Sequence, residues 1–119
     1  MLVIDVTAAD HDREVEFWRS ASGLPLRQVE KYPEFHGAPL FGPQFGVLTQ
    51  RIDEGTSRMH VDIHTDDVDA EVARLEGLGA VQVRRVNTWC IMRDPAGLLF
   101  CVVPEPPGRL DETNSNRWD

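Results

Sequence analysis

With 119 residues, 41% of them hydrophobic and 27% charged, the chain has the make-up of one ordinary globular domain; two separately cored domains would each be marginal. Twelve Lys and Arg against 20 Asp and Glu leave a net charge of -8, which repels polyphosphate backbones and anionic lipid head groups, so nucleic acid and membrane surfaces are poor partners. No run approaches the roughly 20 apolar residues of a bilayer span, the start MLVIDVTAADHD lacks the pattern of an export signal, and Cys90 and Cys101 are too few for a disulfide scaffold; the expectation is a cytoplasmic protein with free thiols.

In chain order, the β-branched and apolar run Leu2 to Val6 suits a strand. Asp10 then offers an N-cap to a helix carrying Val15, Trp18 and Ala21, which Gly23 closes. Leu24 to Glu30 reads as a second strand, and Tyr32 to Pro43, broken by Pro and Gly, as an irregular stretch with room for one short strand. Phe45 to Ile52 is the next strand, followed by a turn at Asp53, Glu54 and Gly55.

The same order then recurs. Met59 to His64 alternates as a strand, Asp66 or Asp67 caps a helix, and Val68, Val72, Leu75 and Leu78 fall on one helical face before Gly79 ends it. Strands are expected at Ala80 to Val86, Thr88 to Arg93 and Leu98 to Val103, the last two joined by the turn Asp94-Pro95-Ala96-Gly97. From Pro104 the tail is Pro-rich and then polar, with little regular structure expected. Adding 57 to a residue number lays one half on the other: Asp5 falls on Asp62, Val15 on Val72, Trp18 on Leu75. The reading is an α+β chain of two βαβββ modules, about 1–54 and 57–104, whose mixed sheets curl into a cup with the helices outside, followed by a tail at 105–119.

The run His60-Val-Asp-Ile-His-Thr-Asp-Asp-Val-Asp-Ala, the helix end Leu75-Glu-Gly-Leu-Gly-Ala and the closing Asp94-Pro-Ala-Gly-Leu-Leu-Phe-Cys-Val-Val resemble the second half of a glyoxalase-like domain of the vicinal oxygen chelate superfamily. Phe17-Trp18 followed by Gly23-Leu24 is similar to its first half. The resemblance covers about residues 1–104 and implies one such domain, often found as a homodimer. It does not choose an activity, because the superfamily includes lyases, isomerases, dioxygenases, thiol transferases and bleomycin-resistance proteins that sequester a drug.

Alternation along a strand sends Val61 and Ile63 toward the helix and His60, Asp62 and His64 to the opposite face, the cup. By the same rule Leu2, Ile4 and Val6 face the helix and Val3 and Asp5 the cup, while Leu99, Cys101 and Val103 share a face. Enzymes of the superfamily typically hold one divalent metal on four side chains, and the resemblance puts those positions at Val3, approximately Gln50, His60 and Cys101. Valine cannot coordinate, Gln50 offers a neutral oxygen, and Cys101 replaces an expected glutamate with a soft sulfur, so the usual four-ligand site is dismantled.

A substitute site is open to His60 and Asp62, about 7 Å apart at roughly 3.3 Å per residue, with Cys101 adding a thiolate; His64, about 13 Å from His60 by the same rise, is too far and reads as solvent-facing. Zinc, nickel, manganese or iron are the candidate ions. Equally, His60 is a cup histidine bonded to Asp62 or Asp5, and the two acids are held by backbone or imidazole. Cys90 and Cys101 stand opposite each other if residues 93 and 98 flank the turn, unless a bulge intervenes. Trp89 is a stacking platform or a core aromatic, and Tyr32, Phe35, His36 and Phe41 form a mobile rim, fill the core or make a dimer contact. Three readings follow: a small-molecule binder without the usual metal, with Asp5, Gln50, His60, Asp62, Trp89 and Cys101 as its contacts; a metal-dependent lyase or dioxygenase rearranged around His60, with His60 and Asp62 catalytic; and a drug-sequestering protein whose acidity draws a cation.

Overall fold

The computed structural model describes residues 1–22, 24–41 and 45–118, and its backbone falls into two units, Met1–Met59 and His60–Asp119. Unit 1 contains β1 (Leu2–Thr7), α1 (His11–Ser22), β2 (Arg27–Val29), β3 (Tyr32–Phe41) and β4 (Phe45–Ile52). β5 (Arg58–Thr65) starts at the unit boundary and is followed in unit 2 by α2 (Val68–Gly77), β6 (Val81–Val86), β7 (Trp89–Arg93) and β8 (Leu99–Pro104). Strand order is β2-β3-β4-β1 in the first unit and β6-β7-β8-β5 in the second. In each, the opening strand pairs in parallel with the last strand and the other pairings are antiparallel. Both halves are therefore βαβββ modules of one topology. Neither helix is long and apolar enough to cross a membrane.

In unit 1, Ile4, Val6, Ala38 and Val47 from the sheet pack with Val15 of α1 and with Leu26, and Trp18 and Leu24 close the cluster. Alternation thus turns Ile4 and Val6 to the helix and leaves Val3 and Asp5 on the opposite face. Under α1 the structure adds a feature absent from the sequence reading: His11 is 3% exposed and its ring centre lies 5.1 Å from that of His36. His11 Nε2 and His36 Nδ1 have no hydrogen-bond partner among the described residues. Burial holds both imidazoles below their usual pKa, with the neighbouring His36 adding to the effect on His11 and Arg19 to that on His36.

The stretch from Tyr32 is not irregular. It runs as a ten-residue strand, and Gly37 acts within it as a packing residue: a Cβ at that position would meet Leu48 Cδ1 at 3.1 Å and the Val47 carbonyl at 3.4 Å. Tyr32, Phe35 and His36 are accordingly strand residues, while the side chain of Phe41 lies outside the described residues. The Tyr32 and Phe35 rings stand 5.8 Å apart, and His36 joins His11 beneath the helix. β2 is shorter than expected, its register with β3 slipping between Gln28 and Val29. Gly23 and Pro43, expected at a helix end and in the broken stretch, lie outside the described residues.

In unit 2, Cys90, Met92 and Val102 pack with Val72 of α2, flanked by Val68, Leu75, Ala80 and Phe100. Asp67 is the N-cap, its side chain accepting the Ala70 N–H at 2.9 Å. The C-terminus closes as a Schellman motif in which Ala80 N–H donates to the Leu75 carbonyl and Gly79 N–H to that of Glu76, with Gly79 at φ 108°. Leu78 sits at this cap, 67% exposed, and not on the apolar face assigned to it. Val61 points to the helix side by alternation yet remains 45% exposed, so of the pair expected under the helices it stays uncovered. The tail beyond β8 forms only turns, tied by Glu105 Oε1 to His64 Nδ1 at 2.6 Å and by the Arg74 guanidinium, 4.4 Å from the centre of the Trp118 ring.

Candidate functional site

β5 and β8 pair in parallel with Asp62 opposite Cys101, so these side chains leave the sheet on the same face, away from Met92 and Val102. His60, two residues before Asp62, shares that face. Its Nε2 lies 3.1 Å from Asp62 Oδ1, with both side chains only 12–13% exposed. The 7 Å separation of their backbone positions is thus bridged by the side chains folding toward each other. One donor atom from each of His60, Asp62 and Cys101 falls within 4.8 Å of the other two, the one such cluster found among the described residues. Trp89 is on the same face, since Ile91 pairs with Cys101 and Trp89 is two residues away along β7.

His64 is also on this face but not in the cluster. It was expected to face solvent; instead it is three-quarters buried, because Glu105 at the end of β8 holds its Nδ1. The cysteines take the second of the two alternatives the sequence left open, the one with a bulge. Ile91, not Cys90, stands opposite Cys101, and Cys90 pairs with Val102. The turn contains one residue more than the simple count allows: Asp94 N–H donates to the Leu98 carbonyl, Gly97 N–H returns to Asp94, and Gly97 takes φ 92° as a bulge glycine. The two sulfurs therefore belong to opposite faces. Cys90 is fully buried on the helix side with its thiol pushed up in pKa by that burial, a core residue rather than a nucleophile.

In unit 1 the equivalent positions carry different chemistry. Asp5 pairs with Gln50 in the β1–β4 register just as Asp62 pairs with Cys101, and Val3 stands two residues before Asp5 as His60 does before Asp62. Val3 is fully buried. Asp5, its side chain 2% exposed, accepts a hydrogen bond from Arg58 Nε at 3.2 Å. Sequence reasoning proposed backbone or imidazole as the partner of this carboxylate and missed Arg58, whose only signal is that it opens the strand after the Gly55 turn.

These contents decide which metal set the chain can offer. The four-donor set implied by the resemblance does not fit, because Val3 has no donor and Gln50 is a neutral amide ranged beside Asp5. Only His60 and Cys101 remain of it, joined by Asp62. A set with one nitrogen, one carboxylate and one sulfur is a different site from a hard oxygen-rich one.

Comparison with known proteins agrees with the architecture. A family model described as "Glyoxalase-like domain" matches residues 1–103. Methylmalonyl-CoA epimerase from Mycobacterium tuberculosis superposes with a TM-score of 0.52 at 18% identity, covering 89% of this chain and 86% of that one. A hypothetical protein from Bacillus halodurans C-125 reaches 0.62 at 12% identity over 87% and 92% of the two chains, and a glyoxalase/bleomycin resistance protein/dioxygenase superfamily member from Vibrio splendidus 12B01 reaches 0.50 at 15% over 88% and 98%. No curated protein matches the chain. At these identities the solved structures speak for fold and not for activity. With nearly the whole chain matched by the family model and each half built as a βαβββ module, this protein belongs to the glyoxalase-like domain family.

Proposed function

We propose that residues 1–104 act as one small-molecule-binding domain, with 105–119 as its tail, and that the ligand is held on the sheet face opposite the helices without the four-ligand metal set of the superfamily. The observation that carries this reading is the gathering of His60, Asp62 and Cys101 on one face of β5 and β8. All three are partly withdrawn from water on the face away from the helix-side core, and strand pairing alone does not call for polar side chains there. Asp62 accepts hydrogen bonds, His60 can donate or accept, and Trp89 farther along the face offers an aromatic surface. Asp5 and Gln50 are the corresponding contacts in the first module. The protein acts as a homodimer, as the resemblance implies, and in the cytoplasm, as its composition and opening residues suggest.

The test is ligand-observed NMR, in the presence of chelator, with compounds bearing two neighbouring oxygens (2-hydroxycarbonyls and catechols) and with a cationic glycopeptide. At least one class binds, and His60→Ala or Asp62→Asn weakens it by about tenfold or more, the worth of one hydrogen bond to a charged group. No binding by any class, or binding indifferent to both substitutions in folded protein, overturns the proposal. Salt-sensitive binding of the glycopeptide alone converts it to drug sequestration.

The 3.1 Å contact between His60 and Asp62 supports a second reading, proton transfer, because a carboxylate that fixes an imidazole is the arrangement a general base requires. Exchange of the carbon-bound proton of a bound 2-hydroxycarbonyl into heavy water, lost in His60→Ala, is its signature.

A further inference from the structure

Cys101 and Asp62 are partners in register on neighbouring parallel strands, and His60 reaches Asp62 from two residues away. Around a zinc ion, bond lengths of about 2.0–2.3 Å put donor atoms roughly 3.3–3.8 Å apart. The His60–Asp62 contact at 3.1 Å is already near that spacing, and all three donors lie within 4.8 Å of one another, so a short approach of the donors closes the set. Charge points the same way. One neutral imidazole, one carboxylate and one thiolate carry two negative charges and balance a single divalent cation. The corresponding triplet of unit 1, Val3, Asp5 and Gln50, has one anion, and Arg58 already occupies it.

We infer that His60, Asp62 and Cys101 form a thiophilic cation site that takes Zn2+ in preference to Mg2+ or Mn2+. This deepens the reading of the face as a binding site and rests on it. When the ion binds, the Cys101 thiol gives its proton to solvent and the sulfur becomes a ligand, so affinity rises with pH. The sulfur in place of a glutamate is then a change of ion preference and not merely a lost ligand: thiolate favours zinc over the harder ions. Asp62 supplies an oxygen ligand from within the second module. Three protein donors is the number found in zinc sites that keep one position exchangeable.

The experiment is isothermal titration of chelator-stripped protein with Zn2+, Mg2+ and Mn2+ separately, together with absorption spectra of the Co2+-loaded protein. Zinc binds stoichiometrically and about 100-fold or more tighter than manganese or magnesium, as soft-ligand selection requires, and Co2+ produces a sulfur-to-cobalt charge-transfer band. Cys101→Ser abolishes the band and weakens zinc by at least about tenfold, as does Asp62→Asn; Cys90→Ala, on the opposite face, changes neither. Circular dichroism confirms that each variant is folded. Absence of zinc binding, equal affinity for manganese, or a band that survives Cys101→Ser overturns the inference. Zinc failing while the small-molecule panel still binds in chelator defeats this inference alone; zinc binding with no panel compound bound defeats the functional reading alone.

Discussion

On the sheet face away from its helix, unit 1 carries Val3, Asp5 and Gln50, where unit 2, in the same order and register, carries His60, Asp62 and Cys101. Beneath the helices the contrast reverses. His36 pairs with Thr49 as Met92 pairs with Phe100, so the histidine that lies against His11 in unit 1 occupies the core position that Met92 fills in unit 2. Each module therefore places its histidines differently on one scaffold. The first has polar groups in its helix-side core and an ion-paired acid on the other face; the second has an apolar core and a cluster of donors. A carboxylate at the same strand position lies beside the Arg58 guanidinium in one module and beside an imidazole and a thiol in the other.

The largest expected effect breaks the ion pair of unit 1. Arg58→Met leaves Asp5 buried without its guanidinium and costs about 2 kcal/mol in urea unfolding, discounted for the half-exposed arginine. A cost below about 0.5 kcal/mol, within the range of an ordinary surface change, would place Asp5 on the same footing as Asp62. Next come the helix starts. Asp67→Ala removes a side-chain cap and costs about 1 kcal/mol, whereas Asp10→Ala costs less, because the Asp10 carboxylate is engaged by Thr7 and Arg13 and only its backbone carbonyl accepts the first helical bond, from Glu14. Equal costs would erase that difference between α1 and α2.

The effect that is smallest at neutral pH grows on acidification. His11 and His36 have pKa values lowered in the folded state by burial, so below the ordinary value of about 6.5 the unfolded chain binds protons that the folded chain refuses. Stability is unaffected above that pH and is lost as pH falls from it toward the lowered folded values. His36→Met, which copies unit 2, flattens this slope of stability against pH between neutrality and mild acid. An unchanged slope in urea denaturation at stepped pH would remove the histidine pair as its cause.

Much of the fold was legible because its signals are local. Alternation gave β1, β4 and β5 nearly to the residue, the Asp67 and Gly79 chemistry gave the ends of α2, and the offset of 57 exposed the repeat. β3 was hidden because Gly37 looks like a breaker in one dimension and is a close-packing residue only once Leu48 is beside it. The cysteine register stayed open in the sequence because a single bulge decides it: the extra residue shifts every partner by one and so transfers Cys90 to the other face. In the candidate site, the shared face of His60, Asp62 and Cys101 followed from strand period, while the Arg58 and Glu105 partners did not, since each joins residues more than 40 positions apart.

The sequence by itself determined which side chains each strand turns toward or away from its helix, because side-chain direction has a fixed period of two and hydrophobic residues mark the buried side. It also determined that position 3 offers no ligand atom to a metal, since valine carries none. Only the tertiary structure decided which residues meet. Whether Asp5 is neutralised, whether His60 turns to Asp62, and whether Cys101 or Ile91 comes level with the neighbouring strand depend on registers and rotamers fixed by packing across the sheet, and those long-range pairings have no local signature in the chain.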